Sequence, residues 1–239
     1  MTPLTKPLGH KAYGSIPHLP GSRRGAGDYG LEPAQSVRLT EKAKNRHDRV
    51  IVQEKLDGSN VAAAKVGGRI VALSRAGVLA SESNYPQHRM WSRWVAAHAD
   101  LFNALLTEGE RVCGEWLAQA VATRYDLTGR LPFVAFDLRV KHDRAPVDEV
   151  EARCAAVGLE VPRVISDGPP VSVDAVLAVL EPSGHGALDP VEGAVWRLEE
   201  RGRPLLIGKY VRHDKVDGAL FPENNGGVIT WNWTDGVES

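Results

Sequence analysis

The sequence predicts an α+β fold in which two antiparallel sheets carry helices on their outer sides. Short apolar runs alternate with turn residues over 49–75 and again over 194–211, as expected for hairpins. Residues 87–107 repeat their apolar side chains at helical spacing, which predicts an amphipathic helix. This mixture of hairpins and helices favours antiparallel sheets with the helices packed outside.

The individual elements follow from local signals. Gly67-Gly68 is typical of a hairpin turn, Pro146 suits the first turn of a helix, and Ser172 suits an N-cap. In chain order the predicted elements are strands over 50–54, 60–66 and 69–75, a helix over 87–107, strands over 111–117 and 131–140, helices over 146–157 and 173–180, and a hairpin of 194–198 with 205–211. We expect the helix with Trp91 and Trp94 to belong to the core.

The composition is that of an ordinary globular protein, with 25% charged residues and a net charge of -1. Contact with nucleic acid would therefore need a local basic patch. Cys113 and Cys154 lack Cys-x-x-Cys spacing, so we expect no zinc site or disulfide, and a reduced cytoplasmic setting is the default. The N-terminus has no signal-peptide core, and no run predicts a membrane span.

The most informative segment is Glu54-Lys55-Leu56-Asp57-Gly58-Ser59-Asn60. It places a lysine at a strand end, one residue before an Asp-Gly turn. A lysine held there in a pocket can attack a phosphorus atom and form a phosphoramidate. The pattern Lys-x-Asp-Gly occurs a second time at 215–218, so its spacing alone does not choose between the copies.

Further motifs follow the first copy in order and not the second. They are Ser74-Arg75, Gly114-Glu115, Phe136-Asp137, Glu192-Gly193-Ala194-Val195 and Lys209. These would converge if two sheets faced each other across a cleft. Lys215 lies too near the C-terminus for such a series to follow it, so we interpret 215–218 as a surface turn.

In these residues the chain resembles ATP-dependent polynucleotide ligases of the covalent nucleotidyltransferase superfamily, and it is most similar to the RNA ligase branch. The match runs from about Val50 to Arg212. The resemblance implies a nucleotidyltransferase (ATP-grasp-like) ligase domain, with a nucleotide cleft between two antiparallel sheets and flanking helices. It divides the chain into an irregular arm (1–35), an adenylyltransferase domain (36–222) and a short C-terminal tail (223–239) without an OB-fold domain.

The resemblance makes Lys55 the nucleophile that takes AMP from ATP. The reaction needs the neutral amine, and we expect burial and the cations Lys209 and Arg75 to lower the pKa of Lys55. Lys209 would contact the α-phosphate. The family usually has two lysines one residue apart here, but this chain has only one, and Arg212 is expected on another strand face.

The resemblance also assigns the nucleotide contacts. Glu54 would help hold adenine, and Phe136 would stack on it. Asp57 and Gly58 would shape the turn that presents the amine. Arg75 and Glu115 would contact ribose and phosphate, and Glu192 would bind the Mg²⁺ or Mn²⁺ that accompanies ATP. The structural alternatives are a plain hairpin turn at 57–58, a surface ion pair for Arg75 and Glu115, a core position for Phe136, and a turn-flanking Glu192.

Three residues are predicted to meet nucleic acid. The resemblance gives Asn60 to the sealing step, unless its amide caps local backbone. Arg23 and Arg24 could contact a strand end or the leaving pyrophosphate, unless their segment is a disordered tail. His18 has no partner visible in the sequence and receives no role.

The predicted function is ATP-dependent joining of RNA 3′-hydroxyl and 5′-phosphate ends through lysyl-AMP and an adenylylated 5′ end, which would serve RNA repair. RNA ends or a nicked duplex are the expected partners, because the tail after Lys209 is too short for the OB-fold domain that DNA ligases add. A DNA nick ligase, a GTP-using capping guanylyltransferase and a nucleotide- or RNA-binding module with a degenerate ligase site stay open as alternatives.

Overall fold

In the computed structural model, which describes residues 4–234, nine strands form two antiparallel sheets. The first sheet has the order β7-β1-β8-β9, with β1 Asp48–Lys55, β7 Val164–Gly168, β8 Gly193–Glu200 and β9 Arg203–Val211. The second has the order β3-β2-β4-β5-β6, with β2 Ser59–Val66, β3 Arg69–Ser74, β4 Glu110–Trp116, β5 Phe133–Val140 and β6 Asp143–Arg144. The α+β prediction with two antiparallel sheets is confirmed.

The helices cover the outer faces of the sheets. They are α1 Pro33–Thr40, α2 Pro86–Ala97, α3 Ala99–Leu105, α4 Val147–Ala156 and α5 Val173–Leu177. Apolar side chains of α2, α3 and α4 pack on the second sheet, while Leu39 of α1 and Val176 of α5 pack on the first. No helix within residues 4–234 is long and apolar enough to cross a bilayer.

The single helix predicted over 87–107 is wrong, because the chain breaks at His98 between α2 and α3. The His98 ring hydrogen-bonds the carbonyl oxygen of Trp94 at 2.8 Å, and its backbone leaves the helical region. The apolar periodicity continues because both helices cover the same core. Trp91 and Trp94 are buried there, as predicted. The prediction also missed α1, β6 and β7.

Side-chain alternation gives the two sheets a shared interior cleft. On β1, Val50 and Val52 face the outer core, whereas Gln53 and Lys55 line the cavity. Lys55 pairs with Gly193 on β8, and Val195 pairs with Lys209 on β9. Successive residues of a strand point to opposite faces, so one face of this sheet presents its polar residues to the cleft.

The Asp57-Gly58 turn connects the two sheets. Strand β1 pairs with β7 and β8, but β2 pairs with β3 and β4. The alternative of a plain hairpin turn is therefore wrong. Since the chain changes sheet immediately after Lys55, the lysine lies where the two sheets meet.

The N-terminal residues follow the edge of the first sheet as an ordered segment, which excludes the alternative of a disordered tail for 13–24. The backbone NH groups of Leu19 and Arg23 donate to the carbonyl oxygens of Lys209 and Val211 on β9, at 2.8 and 3.0 Å. Helix α1 begins at Pro33, inside the range predicted as an irregular arm.

Candidate active site

A cavity of about 600 Å³ lies between the sheets. Both sheets, the N-terminal segment and residues 215–229 contribute to its wall. Of the residues predicted from sequence, the wall contains Arg23, Glu54, Lys55, Asp57, Gly58, Asn60, Arg75, Glu115, Phe136, Glu192 and Lys209. Arg24 is exposed and does not line the cavity.

Lys55 lies at the centre of this set. Its side chain is 21% exposed, and its Nζ donates a hydrogen bond to a carboxylate oxygen of Glu192. A second, longer contact joins Nζ to the carbonyl oxygen of Leu56 at 3.4 Å. The amine is therefore held in the cleft beside a carboxylate.

The expectation of a lowered pKa for Lys55 is wrong. Burial by itself lowers this pKa, but the negative charges of Glu192 and Glu115 outweigh burial, and the pKa of Lys55 is raised. The sequence argument counted the neighbouring cations and burial, and left out Glu115. The amine is thus protonated until the surrounding negative charge is reduced.

The carboxylates around Lys55 lie in an environment that disfavours their charged forms. Burial raises the pKa of Glu115 to about 8, with further contributions from Glu192 and Asp57. Burial also raises the pKa of Glu192 and of Asp57, against the opposing charge of Lys55. Lys55 acts on all three acidic groups, while Lys209 acts on Glu192 and Lys215 on Asp57 at longer range, and the raised pKa values show that further positive charge would be favourable here.

Two glycines are required for this approach. A Cβ at Gly58 would lie 2.6 Å from the carbonyl oxygen of Trp116. A Cβ at Gly193 would collide with the carbonyl oxygen of Tyr210, and Gly193 has φ +157°. Since Gly193 is the cross-strand partner of Lys55, the missing side chain lets Glu192 reach the lysine.

Asp57 anchors the turn more than it faces a ligand. Its carboxylate accepts a hydrogen bond from the backbone NH of Ala122 at 2.8 Å, and its own NH donates to the Tyr125 hydroxyl at 2.9 Å. Glu115 holds the next residue, accepting from the NH of Gly58 at 3.2 Å. The turn after Lys55 is therefore fixed on both sides.

Glu54 lines the cavity, but its carboxylate has partners within the protein. It accepts hydrogen bonds from the Ser183 hydroxyl and from the NH of Gly184 at 2.8 Å, and it pairs with Arg163 at 3.2 Å. The neighbouring Gln53, which the sequence interpretation missed, faces the cavity from the same side of β1 as Lys55. Side-chain alternation from Lys55 could have identified it.

Phe136 owes its position to an irregularity in the sheet. Cys113 pairs with Asp137 and Gly114 with Ala135, so Phe136 is the extra residue of a bulge. A bulge changes the direction of a side chain, and here the ring lines the cavity and contacts Tyr13 edge-on at 5.1 Å. The pure core alternative for Phe136 does not describe this half-buried position.

Lys209 belongs to a network of polar contacts with side chains of the N-terminal segment. Its Nζ lies 3.9 Å from Asp28, whose other oxygen lies 3.2 Å from His18 Nε2. His18 Nδ1 in turn lies 2.7 Å from the Ser22 hydroxyl. Burial and the charge of Lys55 lower the pKa of Lys209.

The other predicted cations lie at the rim or outside. Arg75 is exposed, and its guanidinium donates to the Ser15 hydroxyl at 3.1 Å, which contradicts the alternative of an ion pair with Glu115. Arg212 pairs with Glu181 and Asp214 and does not line the cavity. A substitute for the missing second lysine is therefore not found at Arg212.

The interpretation of 215–218 as a surface turn is wrong for its first residue. Lys215 is 7% exposed, lines the cavity, and donates from Nζ to the Thr123 hydroxyl at 2.8 Å. The order of motifs excluded this copy as the nucleophile, but it could not predict that the segment packs against 121–123.

The sequence analysis assigned no role to Asp137, which joins the sheets. The Asp137 carboxylate on β5 pairs with Arg197 on β8 at 2.7 Å and with Arg144 at 2.8 Å. Although burial opposes ionisation, the charges of Arg197 and Arg144 lower the pKa of Asp137 to about 2. This buried bridge fixes the spacing of the cleft walls.

The donor set fits a magnesium ion that is bound mainly by its nucleotide. Among residues 4–234, no group of three or more His, Cys, Asp or Glu side chains is placed to hold a metal. Mg²⁺ often takes only one or two carboxylates and completes its shell with phosphate oxygens and water. Glu192 and Glu115, whose pKa values are raised mainly by burial and further by neighbouring carboxylates, provide such carboxylates.

Comparison with known proteins gives a family match. The family model described as RNA ligase matches residues 48–211, which is more than half of the chain. No curated protein matches the chain.

Two archaeal ATP-dependent RNA ligase structures are similar to this chain. One is 23% identical, with a TM-score of 0.51, covering 81% of this chain and 48% of that chain. The other is 25% identical, with a TM-score of 0.49, covering 69% of this chain and 42% of that chain. The chain thus spans less than half the length of these ligases.

A mutant Naegleria gruberi RNA ligase with ATP and Mn is also similar. It is 14% identical, with a TM-score of 0.55, covering 87% of this chain and 61% of that chain. At this identity the likeness supports the fold. The same fold therefore occurs in a protein whose structure contains ATP and Mn.

Proposed function

The chain belongs to the RNA ligase family, and from that premise we propose that it is an ATP-dependent enzyme that joins RNA 3′-hydroxyl and 5′-phosphate ends. The observation that carries the proposal is the Lys55 amine, held against Glu192 in a cavity that also contains Phe136, Glu115 and Lys209. An isolated surface lysine would have no such surroundings.

In the first step, Lys55 Nζ attacks the α-phosphorus of ATP. A bond forms between Nζ and phosphorus, the bond to the bridging oxygen breaks, and pyrophosphate leaves. The ammonium form must first release its proton to solvent, and the charges of Glu192 and Glu115 oppose that release. Mg²⁺ held by Glu192 and the phosphates would neutralise charge on the phosphate and weaken the attraction between Glu192 and the Lys55 proton.

The other residues that line the cleft would bind the parts of ATP. Lys209 supplies positive charge to the α-phosphate. Burial and the charge of Lys55 disfavour its charged form, and an anionic ligand would favour that form again. Phe136 offers a face for adenine, and Gln53 and Glu54 of β1 line the same cavity from the other sheet. Arg75 and Arg23 at the rim are suited to phosphate or ribose oxygens.

In the second step, an oxygen of the RNA 5′-phosphate attacks the AMP phosphorus, the P–N bond to Lys55 breaks, and a pyrophosphate linkage forms. In the third step, a 3′-hydroxyl attacks the phosphorus of the RNA 5′-phosphate, a phosphodiester bond forms, the hydroxyl proton passes to solvent, and AMP leaves. The amide of Asn60, next to the Lys55 turn, lines the cavity and would act in these steps. RNA is the substrate that family membership supports.

The test is covalent labelling with radiolabelled ATP and Mg²⁺. We expect acid-labile label on the protein, as a P–N bond requires, and sealing of RNA ends in a substrate panel. Labelling with GTP instead would indicate a guanylyltransferase. Exclusive sealing of nicked DNA would contradict the RNA assignment, and nucleotide binding without label would indicate a binding module.

A further inference from the structure

One part of the cavity wall has no function in the nucleotide step. It consists of amide side chains and a ring from four separate segments: Asn60 on β2, Gln87 on α2, Gln119 after β4, and Phe221 near the C-terminus. Asn60 Oδ1 and Gln119 Oε1 are buried and accept no hydrogen bond within the described chain. The Gln119 residue is only 3% exposed.

The neighbouring Asn232 provides a contrast. Its side-chain oxygen accepts from the NH of Tyr125 at 3.0 Å, and its amide donates to the carbonyl oxygen of Leu117 at 2.8 Å. The same region of the protein can therefore satisfy an amide completely. A buried oxygen without a hydrogen-bond partner is unfavourable, so two of them on one cavity wall indicate a ligand that donates hydrogen bonds.

The ligand must supply hydroxyl or amine hydrogens, because Oδ1 and Oε1 can only accept. A phosphate diester supplies none. A ribose at the 3′ end of an RNA strand carries two adjacent free hydroxyls, whereas a ribose inside the strand or at its 5′ end carries one free 2′-hydroxyl. Two unpaired oxygens, Asn60 Oδ1 and Gln119 Oε1, match a terminal diol.

Lys215 adds a cation to the same wall. Its ammonium group donates to the neutral Thr123 hydroxyl at 2.8 Å and forms no ion pair within residues 4–234. An ammonium group has three donors, so two remain for a ligand oxygen. The charges of Asp57, Asp189 and Asp214 act on this cation without a direct ion pair, so its two remaining donors can bind an anion such as a phosphodiester.

We propose that these residues, the amide pocket (Asn60, Gln87, Gln119, Lys215 and Phe221), bind the 3′-terminal ribonucleotide of the strand that supplies the attacking hydroxyl. Gln119 and Asn60 accept hydrogen bonds from its diol, Lys215 pairs with its phosphodiester, and Phe221 packs on its base. Gln119 is then a specificity-determining residue that selects RNA over DNA ends. This assignment rests on the proposed ligase function.

The experiment measures binding, so that it does not depend on turnover. A short RNA with a 5′ fluorophore is titrated with protein, and its anisotropy is compared with that of the same RNA ending in a 2′,3′-dideoxynucleotide. We expect the unaltered chain to bind the diol end about tenfold tighter, a ratio that corresponds to about 1.4 kcal/mol. Gln119→Leu, which keeps the size and removes the acceptor, should bring the ratio close to one.

A matched variant controls for misfolding. Gln119→Glu keeps acceptor oxygens at the same position and should keep the preference for the diol. Lys215→Met should weaken binding of both ends equally and reduce the slope of log K against log salt by about one. Equal binding of both ends by the unaltered chain, or an unchanged ratio in Gln119→Leu, would refute the amide pocket.

ATP labelling of the unaltered chain separates the two proposals. A chain that is labelled but binds both ends equally contradicts only the amide pocket. A chain that binds the diol end more tightly but is never labelled by ATP supports the amide pocket and contradicts the ligase mechanism.

Discussion

The two Lys-x-Asp-Gly segments lie against the same stretch of backbone and yet have different surroundings. In the first copy, Asp57 accepts a hydrogen bond from Ala122, and in the second, Lys215 donates to Thr123. Both lysines line one cavity. Lys55, however, contacts Glu192, whereas the hydrogen bond of Lys215 goes to a neutral hydroxyl and its carboxylate neighbours act only at longer range.

The difference shows that the Lys-x-Asp-Gly pattern favours a turn but does not by itself make its lysine reactive. Lys55 ends a central strand whose neighbour, β8, begins with Gly193 and so brings Glu192 to the amine. Lys215 follows the last strand and has no such neighbour. The chemistry of each lysine therefore comes from the strands that pack around it, and four changes can test this contrast.

The largest expected effect is on covalent labelling. Lys55→Ala should reduce labelling by ATP at least about a thousandfold, because no other amine has the same carboxylate partner and position. Lys215→Ala should still be labelled, with at most a several-fold loss. The label is measured per mole of folded protein, and loss of label only in Lys215→Ala would reverse the assignment of the two copies.

The second effect is on the free energy of unfolding. Gly58→Ala should lower it by about 1 to 3 kcal/mol, because the new Cβ would lie against the rigid Trp116 carbonyl. Gly218→Ala should lower it by about 1 kcal/mol, owing to φ +67°, since its nearest contact is the movable Phe221 ring. Urea unfolding compares the two variants, and a larger loss in Gly218→Ala would contradict the tighter fixation of the first turn.

A third contrast uses methionine, which keeps the side-chain length and removes the charge. Lys55→Met should lower the free energy of unfolding by about 1 kcal/mol, because Glu192 and Glu115 lose their cation. Lys215→Met should lower it by less or leave it unchanged, because this buried ammonium has no direct ion pair within residues 4–234 and feels the charges of Asp57, Asp189 and Asp214 only at longer range. Thermal unfolding at neutral pH measures both, and equal losses would show that the carboxylates do not distinguish the copies.

The smallest expected effect concerns pH. The pKa of Glu115 is raised by burial from an ordinary 4.5 to about 8, so the folded state binds its proton more tightly than the unfolded state between these values. Its contribution to stability must then decrease as pH rises from about 5 to 8. Glu115→Gln should show a smaller decrease in melting temperature over this range, and an unchanged slope would contradict the raised pKa.

The sequence predicted the strands well because alternation and turn residues are local signals. The Gly67-Gly68 hairpin and the Ser172 cap, which accepts from the NH of Ala175 at 3.2 Å, lie where these signals placed them. The convergence of Lys55, Glu115, Phe136, Glu192 and Lys209 followed from the order of the motifs.

What the sequence could not predict depends on contacts between distant segments. The raised pKa of Lys55 requires Glu115 and Glu192 on strands of two different sheets. The burial of Lys215 depends on Thr123, and the bulge at Phe136 depends on the pairing of β4 with β5. None of these partners has a fixed sequence spacing from the residue that it affects.

The contact between the N-terminal segment and β9 has a consequence for biosynthesis. Ser22 accepts a hydrogen bond from the NH of Val211, 189 residues later. During translation the N-terminal segment cannot form its hydrogen bonds to β9 until β9 has left the ribosome. The lysine emerges long before its pocket exists, so nascent chains stalled ahead of β9 should be inert towards nucleotide and open to protease at their N-terminal residues.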